Sequence, residues 1–227
     1  MTRALRQKQR SRLAAEINLN SSAGGHGGQL SICLVSPSRY RTGMSSLGFQ
    51  TVYALLAGSA DIRCERAFLP ERDELDEYRR SGTPLLSLES QRPLGDFDVI
   101  AFSTSFEPDY LNIPLILNLA RLPLYSAERS ESHPLLIAGG AAFFINPEPV
   151  ADFFDVICVG EGEDIIPLLV SALLSPDLAG RPGLLAAMSS IPGIYVPALY
   201  QPRYAGDRLL NYEASPGAPL PVARISA

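Results

Sequence analysis

Lysine is almost missing from this chain. Lys8 is the one lysine among 19 basic residues, set against 24 acidic ones, and the formal net charge is −5. No broad basic surface is available, which sets nucleic acid aside as a partner. The arginine bias itself reads as base composition of the gene. Histidine is as scarce: His26 lies in a Gly-rich tract and His133 precedes Pro134, so neither has a local partner for general acid–base work. Cys33, Cys64 and Cys158 lie far apart, without metal-ligand spacing, and an odd number suits a disulfide framework poorly. Each sits in an apolar run, where a buried reduced thiol is expected and a reducing cytoplasm follows. The longest apolar stretch, around Leu135 to Ile145, is too short to span a bilayer. The basic N-terminus is followed by no apolar segment of the kind a secretory signal needs. No membrane partner is expected.

Motifs are missing too. There is no G-x-G-x-x-G after the first apolar run, no G-x-x-x-x-G-K and no G-x-S-x-G. Nicotinamide, nucleoside triphosphate and serine-hydrolase readings lose their support. No complete catalytic apparatus is visible.

What remains is a regular alternation. Residues 1–29 read as a disordered extension: a short basic piece, with a helix as an open alternative for it, and then the tract Ser21 to Gly28. Leu30 to Val35 reads as a buried first strand ending at Ser36-Pro37. A helix capped by Ser45 or Ser46 follows, with Leu47, Val52, Leu55 and Leu56 inward. Arg63 to Leu69 makes a second strand, Asp73 to Arg80 a helix, and Leu85 to Leu88 a short extra strand. Three further units follow: Asp98 to Ser103 with a helix from Asp109, Leu135 to Ala138 with a helix near Pro149, and Val156 to Val159 with a helix to Leu174. Near-continuous apolar strands alternating with helices specify an α/β fold: a Rossmann-like, flavodoxin-like doubly wound parallel sheet of about five strands in the order 2-1-3-4-5. This domain is placed at 30–200, with Gly193 to Pro197 as an isolated strand. Residues 201–227 read as a linker or tail.

Ligands of such sheets bind outside the carboxyl ends of the strands. Four loops belong there. The first, Ser36 to Gln50, carries Ser36, Arg39, Tyr40, Gly43 and Ser45; its arginines and the next helix N-terminus suit an anion, although an exposed loop explains them equally. The second closes the third strand with Ser103 and Ser105, where plain helix capping competes. The third is Gly139-Gly140, suited to close backbone approach or to a turn. The fourth, Gly160, Glu161, Gly162 and Glu163, places carboxylates at a helix start, which the helix dipole alone explains for Glu163 and Asp164.

One resemblance joins these pieces. The runs L-V-S-P-S-R-Y-R-T-G-M-S-S-L-G-F-Q-T-V-Y, C-E-R-A-F-L-P, D-F-D-V-I-A-F-S-T-S-F-E-P-D-Y-L-N, L-I-A-G-G, N-P-E-P-V-A-D-F-F-D and V-G-E-G-E, in order over residues 30–200, resemble the N-terminal region of cobalamin-binding-type radical S-adenosylmethionine (SAM) proteins. The resemblance implies a cobalamin-binding-like module beside a radical barrel, fused or separate. The barrel's C-x-x-x-C-x-x-C motif is not in this chain, so the iron–sulfur cluster and S-adenosylmethionine would belong to that other domain. The first loop also lacks the Asp and His of D-x-H-x-x-G, so the resemblance implies cobalamin held without a histidine ligand. It places Ser103 to Ser105 at the nucleotide-tail serine, Gly139-Gly140 along the tail's channel, and Arg39 and Tyr40 at the lower face. Three functions follow as expectations: a corrinoid-holding module that docks to a radical barrel; a docking domain that has lost its cofactor, with Gly193 to Pro197 and the tail as partner face; and, least supported, an independent enzyme built on the Arg39 and Glu161 loops.

Overall fold

A computed structural model describes residues 3–17, 28–175, 180–223 and 225. The Gly-rich tract through residue 27, His26 included, lies outside them. In chain order the elements are α1 (Arg3–Ala15), β1 (Leu30–Arg39), α2 (Tyr40–Ser45), α3 (Leu47–Ala57), β2 (Ile62–Leu69), α4 (Arg72–Ser81), β3 (Val99–Ser103), α5 (Ile113–Ala120), β4 (Leu135–Gly139), α6 (Ala141–Ile145), β5 (Val156–Cys158), α7 (Gly162–Leu173), α8 (Gly180–Ser189), β6 (Ile194–Tyr195), β7 (Tyr200–Ala205) and β8 (Arg208–Ala214).

The strand order is β2-β1-β3-β4-β5-β6, with all neighbours parallel except β5 and β6. This is the expected doubly wound sheet with one antiparallel strand added at its edge. Alternation builds two cores. Ile32 and Leu34 of β1 join Val99, Ile137 and Val156 on the face covered by α3, α7 and α8. Cys33 and Val35 join Ile100, Leu136 and Ile157 on the face covered by α5.

Carboxylates fix the entry to the strands. Asp98 accepts the backbone N–H (2.8 Å) and hydroxyl (2.6 Å) of Ser31, tying the start of β3 to that of β1. Asp155, buried, accepts the Leu136 N–H at 2.7 Å and an Arg181 N–H at 2.6 Å, with Arg129 at 3.5 Å. The Arg129 guanidinium is also held by the carbonyls of Pro123, Leu124 and Phe153. One carboxylate therefore joins β4, β5 and α8.

Several expectations change. The basic N-terminal piece is the docked helix α1: Leu5 is buried, Lys8 pairs with Asp73, and Arg12 pairs with Glu74 at 2.9 Å. Beyond it, Glu16 bonds Arg66 and the Tyr40 hydroxyl, both at 2.7 Å. Opposite charge on α4 recruits a segment that composition alone reads as loose. Leu47, expected inward, is 80% exposed, and Phe49 takes its place in the core. Leu86 makes an isolated bridge to Pro93 where a strand was expected. The Gly193 to Pro197 segment is not isolated: β6 pairs with β5, and Ile194 and Val196 are fully buried. The stretch read as a tail folds into the β7–β8 hairpin.

Replacing Asp155 by Asn strands Arg129 in the interior. Urea denaturation should show the unfolding free energy lowered by about 3 kcal/mol, as when one partner of a buried ion pair is removed. A loss under about 1 kcal/mol contradicts the role given to this carboxylate.

Candidate functional site

β1, β3, β4 and β5 run parallel, so the loops that follow them leave from one rim. Ser46, capping α3, accepts the Phe49 N–H at 3.3 Å, and its hydroxyl meets that of Ser105 at 3.2 Å. This contact joins the loops after β1 and β3. Thr104 donates its backbone N–H to Gly139 (2.9 Å) and accepts that of Ala142 (3.2 Å), joining the loops after β3 and β4. Gly140 lies so close to Thr104 that an added Cβ would stand 2.5 Å from its carbonyl oxygen. Only glycine fits that approach.

Between α3, α7 and the sheet lies a cavity of about 570 Å³, opening at this rim. Its floor is Ile32, Leu34, Val99, Ala101 and Ile137; α3 contributes Thr51, Val52 and Leu56, and α7 Ile165, Ile166, Leu169 and Leu173. Its mouth is formed by Ser103, Ser105, Gly139, Gly140, Gly160, Glu161, Gly162 and Glu163. The size is that of a small-molecule site.

The residues expected in the first loop lie elsewhere. α2 leans toward β2 and the N-terminal helix, away from the cavity. Tyr40 stacks edge-on against Phe68 with ring centroids 5.2 Å apart, and burial together with its bond to Glu16 pushes its hydroxyl up to about 12. Arg39 pairs with Glu71 at 3.4 Å. Ser36 is buried, and a Cβ on Gly43 would stand 2.7 Å from its hydroxyl, so these two brace β1 against α2. Ser45 donates to the Thr42 carbonyl at 2.7 Å.

Among the described residues no arginine, lysine or histidine lines the cavity; the charged groups there are Glu161 and Glu163. The anion-gripping arrangement expected of Arg39 and Arg41 is not formed there. Glu163 and Asp164 occupy the first turn of α7, where the dipole favours them. The cavity suits an uncharged apolar group whose hydroxyl or amide functions meet the serines and carboxylates at the mouth. Among the described residues no group of three or more His, Cys, Asp or Glu could hold a metal ion, and no helix is long and apolar enough to cross a membrane.

Sequence reasoning missed the walls: Thr51 and Val52 of α3, Ala101, Cys158 and the apolar stripe of α7. Their spacing reads as core, and periodicity does not separate a filled core from a hollow one. The small side chains at positions 48, 51, 101, 139 and 162 carry the one available signal.

Cys158 lines the cavity, and burial holds its thiol up to about 12. The thiolate is the reactive form. Residue-resolved alkylation with a small uncharged reagent should therefore speed up about tenfold per pH unit from about pH 7 to pH 10, without a plateau. A plateau at about pH 9 contradicts this burial.

The comparisons with known proteins bear on what this rim serves. The chain is 24% identical over 137 residues to the uncharacterized protein MJ0966 of Methanocaldococcus jannaschii, a match covering 60% of this chain and 25% of that protein. The chain thus spans about a quarter of that relative's length. Residues 48–197 match the family described as radical SAM proteins, N-terminal. That segment includes α3 from its second residue, α7 and every strand of the sheet except β1, and hence most of the cavity wall. The chain belongs to this family of radical SAM protein N-terminal domains.

Proposed function

We propose that the domain holds a corrinoid, or a ligand closely related to one, at the rim of its sheet and presents it to a radical SAM barrel. The observation that carries this reading is the hollow between α3 and α7: it opens at the carboxyl ends of the strands and is ringed by Ser103, Ser105, Gly139 and Gly140. The residues present fit the group in two respects. The aliphatic walls accept an apolar heterocyclic base, and the glycines let backbone approach the connecting chain closely. Ser103, Ser105 and Glu161 supply hydroxyl and carboxylate partners for polar groups entering the mouth. Among the described residues that line the cavity there is no histidine, so a corrinoid held here would be held by the aliphatic walls and the polar groups of the mouth. When bound, a corrinoid supplies radical or group-transfer chemistry. The residues of this chain bind it, orient it and keep water from its buried end.

The chain offers the barrel an apolar collar around the mouth. Leu47, Phe106, Leu111 and Ile145 are between 63% and 84% exposed, on loops and helices that follow β1, β3 and β4. This collar also favours the second reading, a docking domain without a ligand. Its partner face is then the collar, since the Gly193 to Pro197 segment is buried.

Mixing the protein with hydroxocobalamin and separating by gel filtration should yield a coloured protein peak. Ala101→Phe, which fills the cavity floor, should weaken binding more than tenfold while the circular dichroism stays unchanged. A colourless wild-type peak contradicts the corrinoid reading and leaves the docking reading. A coloured Ala101→Phe peak as intense as wild type puts the ligand elsewhere.

A further inference from the structure

The chain returns to the cavity after its last hairpin. From β8 the backbone passes Pro219, whose carbonyl accepts the Tyr200 hydroxyl at 2.6 Å. Ala218 and Val222 pack on the core face carrying α5, whereas Ile225 packs on the opposite face, the one that holds the cavity. The segment therefore crosses the edge of the sheet at the rim. It is tied there by backbone bonds: Gly193 N–H to the Ala223 carbonyl (2.8 Å), Glu161 N–H to the Ile225 carbonyl (3.3 Å) and Ile225 N–H to the Val159 carbonyl (3.4 Å).

The seat is shaped for this residue. Gly160 has φ 145°, and a Cβ there would collide with the Ile225 carbonyl oxygen. A Cβ on Gly193 would stand 2.9 Å from the Ile225 Cγ2 atom. Two glycines from different strand ends thus leave room for a single side chain. Gly160, Glu161 and Gly162 are also cavity wall. The backbone that seats Ile225 is therefore the backbone that lines the cavity at its mouth.

We propose that Ala223 and Ile225 act as a strap whose seating on Gly160 and Gly193 is coupled to occupancy of the cavity. The inference rests on the cavity being a binding site, as the proposed function holds, and not on the ligand being a corrinoid. A seated strap supports the wall, and a displaced one frees the Glu161 N–H and loosens it. Coupling of this kind is reciprocal: whatever factor strap release takes from ligand affinity, ligand binding must return as strap protection.

The test uses the full chain with Ile225→Asp and Ile225→Pro, and Ile225→Val as the conservative control. The cavity probe is Nile red, an uncharged apolar fluorophore. Amide exchange at Glu161 and Gly193 should accelerate in the first two variants, Nile red affinity should fall at least about fivefold, and Ile225→Val should restore both. Saturating the wild type with Nile red should slow exchange at the same amides by a matching factor. Faster exchange with unchanged Nile red affinity makes the strap a mere staple and overturns the proposal. So does unaltered exchange in both variants, or a wild type that takes up no Nile red. Hydroxocobalamin is titrated in parallel. If it fails while Nile red responds to Ile225, the corrinoid reading falls and the strap stands.

Discussion

Parallel strands buried on both faces must release their chains at the same edge, because every crossover helix has to return across the sheet before the next strand begins. In this molecule that requirement gathers the loops after β1, β3, β4 and β5 at one rim, and everything else is built on it. The loops are joined laterally by the Ser46–Ser105 hydroxyl contact and by Thr104 bonded to Gly139 and Ala142. At the far edge the carboxylates of Asp98 and Asp155 pin the strand starts. With both edges held, α3 and α7 sit over a sheet floor of Ile32, Leu34, Val99, Ala101 and Ile137, and a hollow remains between them.

The chemistry of that hollow follows from what its walls omit. A charged ligand group taken inside would meet aliphatic side chains and no cation, a severe penalty without a partner. The cavity therefore selects by shape and apolarity, and the polar mouth selects orientation. Among the described residues the rim carries serines, glycines and the carboxylates of Glu161 and Glu163. The chain belongs with the N-terminal domains of radical SAM proteins, and in the proposed reading it positions a ligand that another domain transforms. The proposed strap would tie the C-terminal segment at Ala223 and Ile225 to the same mouth residues that meet a ligand.

The sheet was legible because buried parallel strands announce themselves: Leu30 to Val35, Asp98 to Ser103 and Leu135 to Ala138 are short apolar runs bounded by Pro, Ser or Gly. Their order followed from handedness and connection length. Half of the candidate site was legible for a related reason, since the glycines and serines at strand ends are local in sequence. The first loop misled because its partners are remote. Tyr40 is claimed by Glu16, and Arg39 by Glu71, and no local pattern reveals either pairing. The docking of α1 is electrostatic and long-range, the edge strand β6 is two residues long, and the strap depends on a seat made by Gly160 and Gly193 together.

The central claim is that a ligand enters the hollow between α3 and α7 from the strand-end rim. It is tested most directly by following backbone amide resonances during titration with hydroxocobalamin. The account predicts saturable shifts at Thr51, Ser103 to Ser105, Gly139 to Ala141 and Gly160 to Glu163, with Arg39 to Ser45 unmoved. Shifts concentrated at Arg39 to Ser45, or no saturable shift at all, would contradict it.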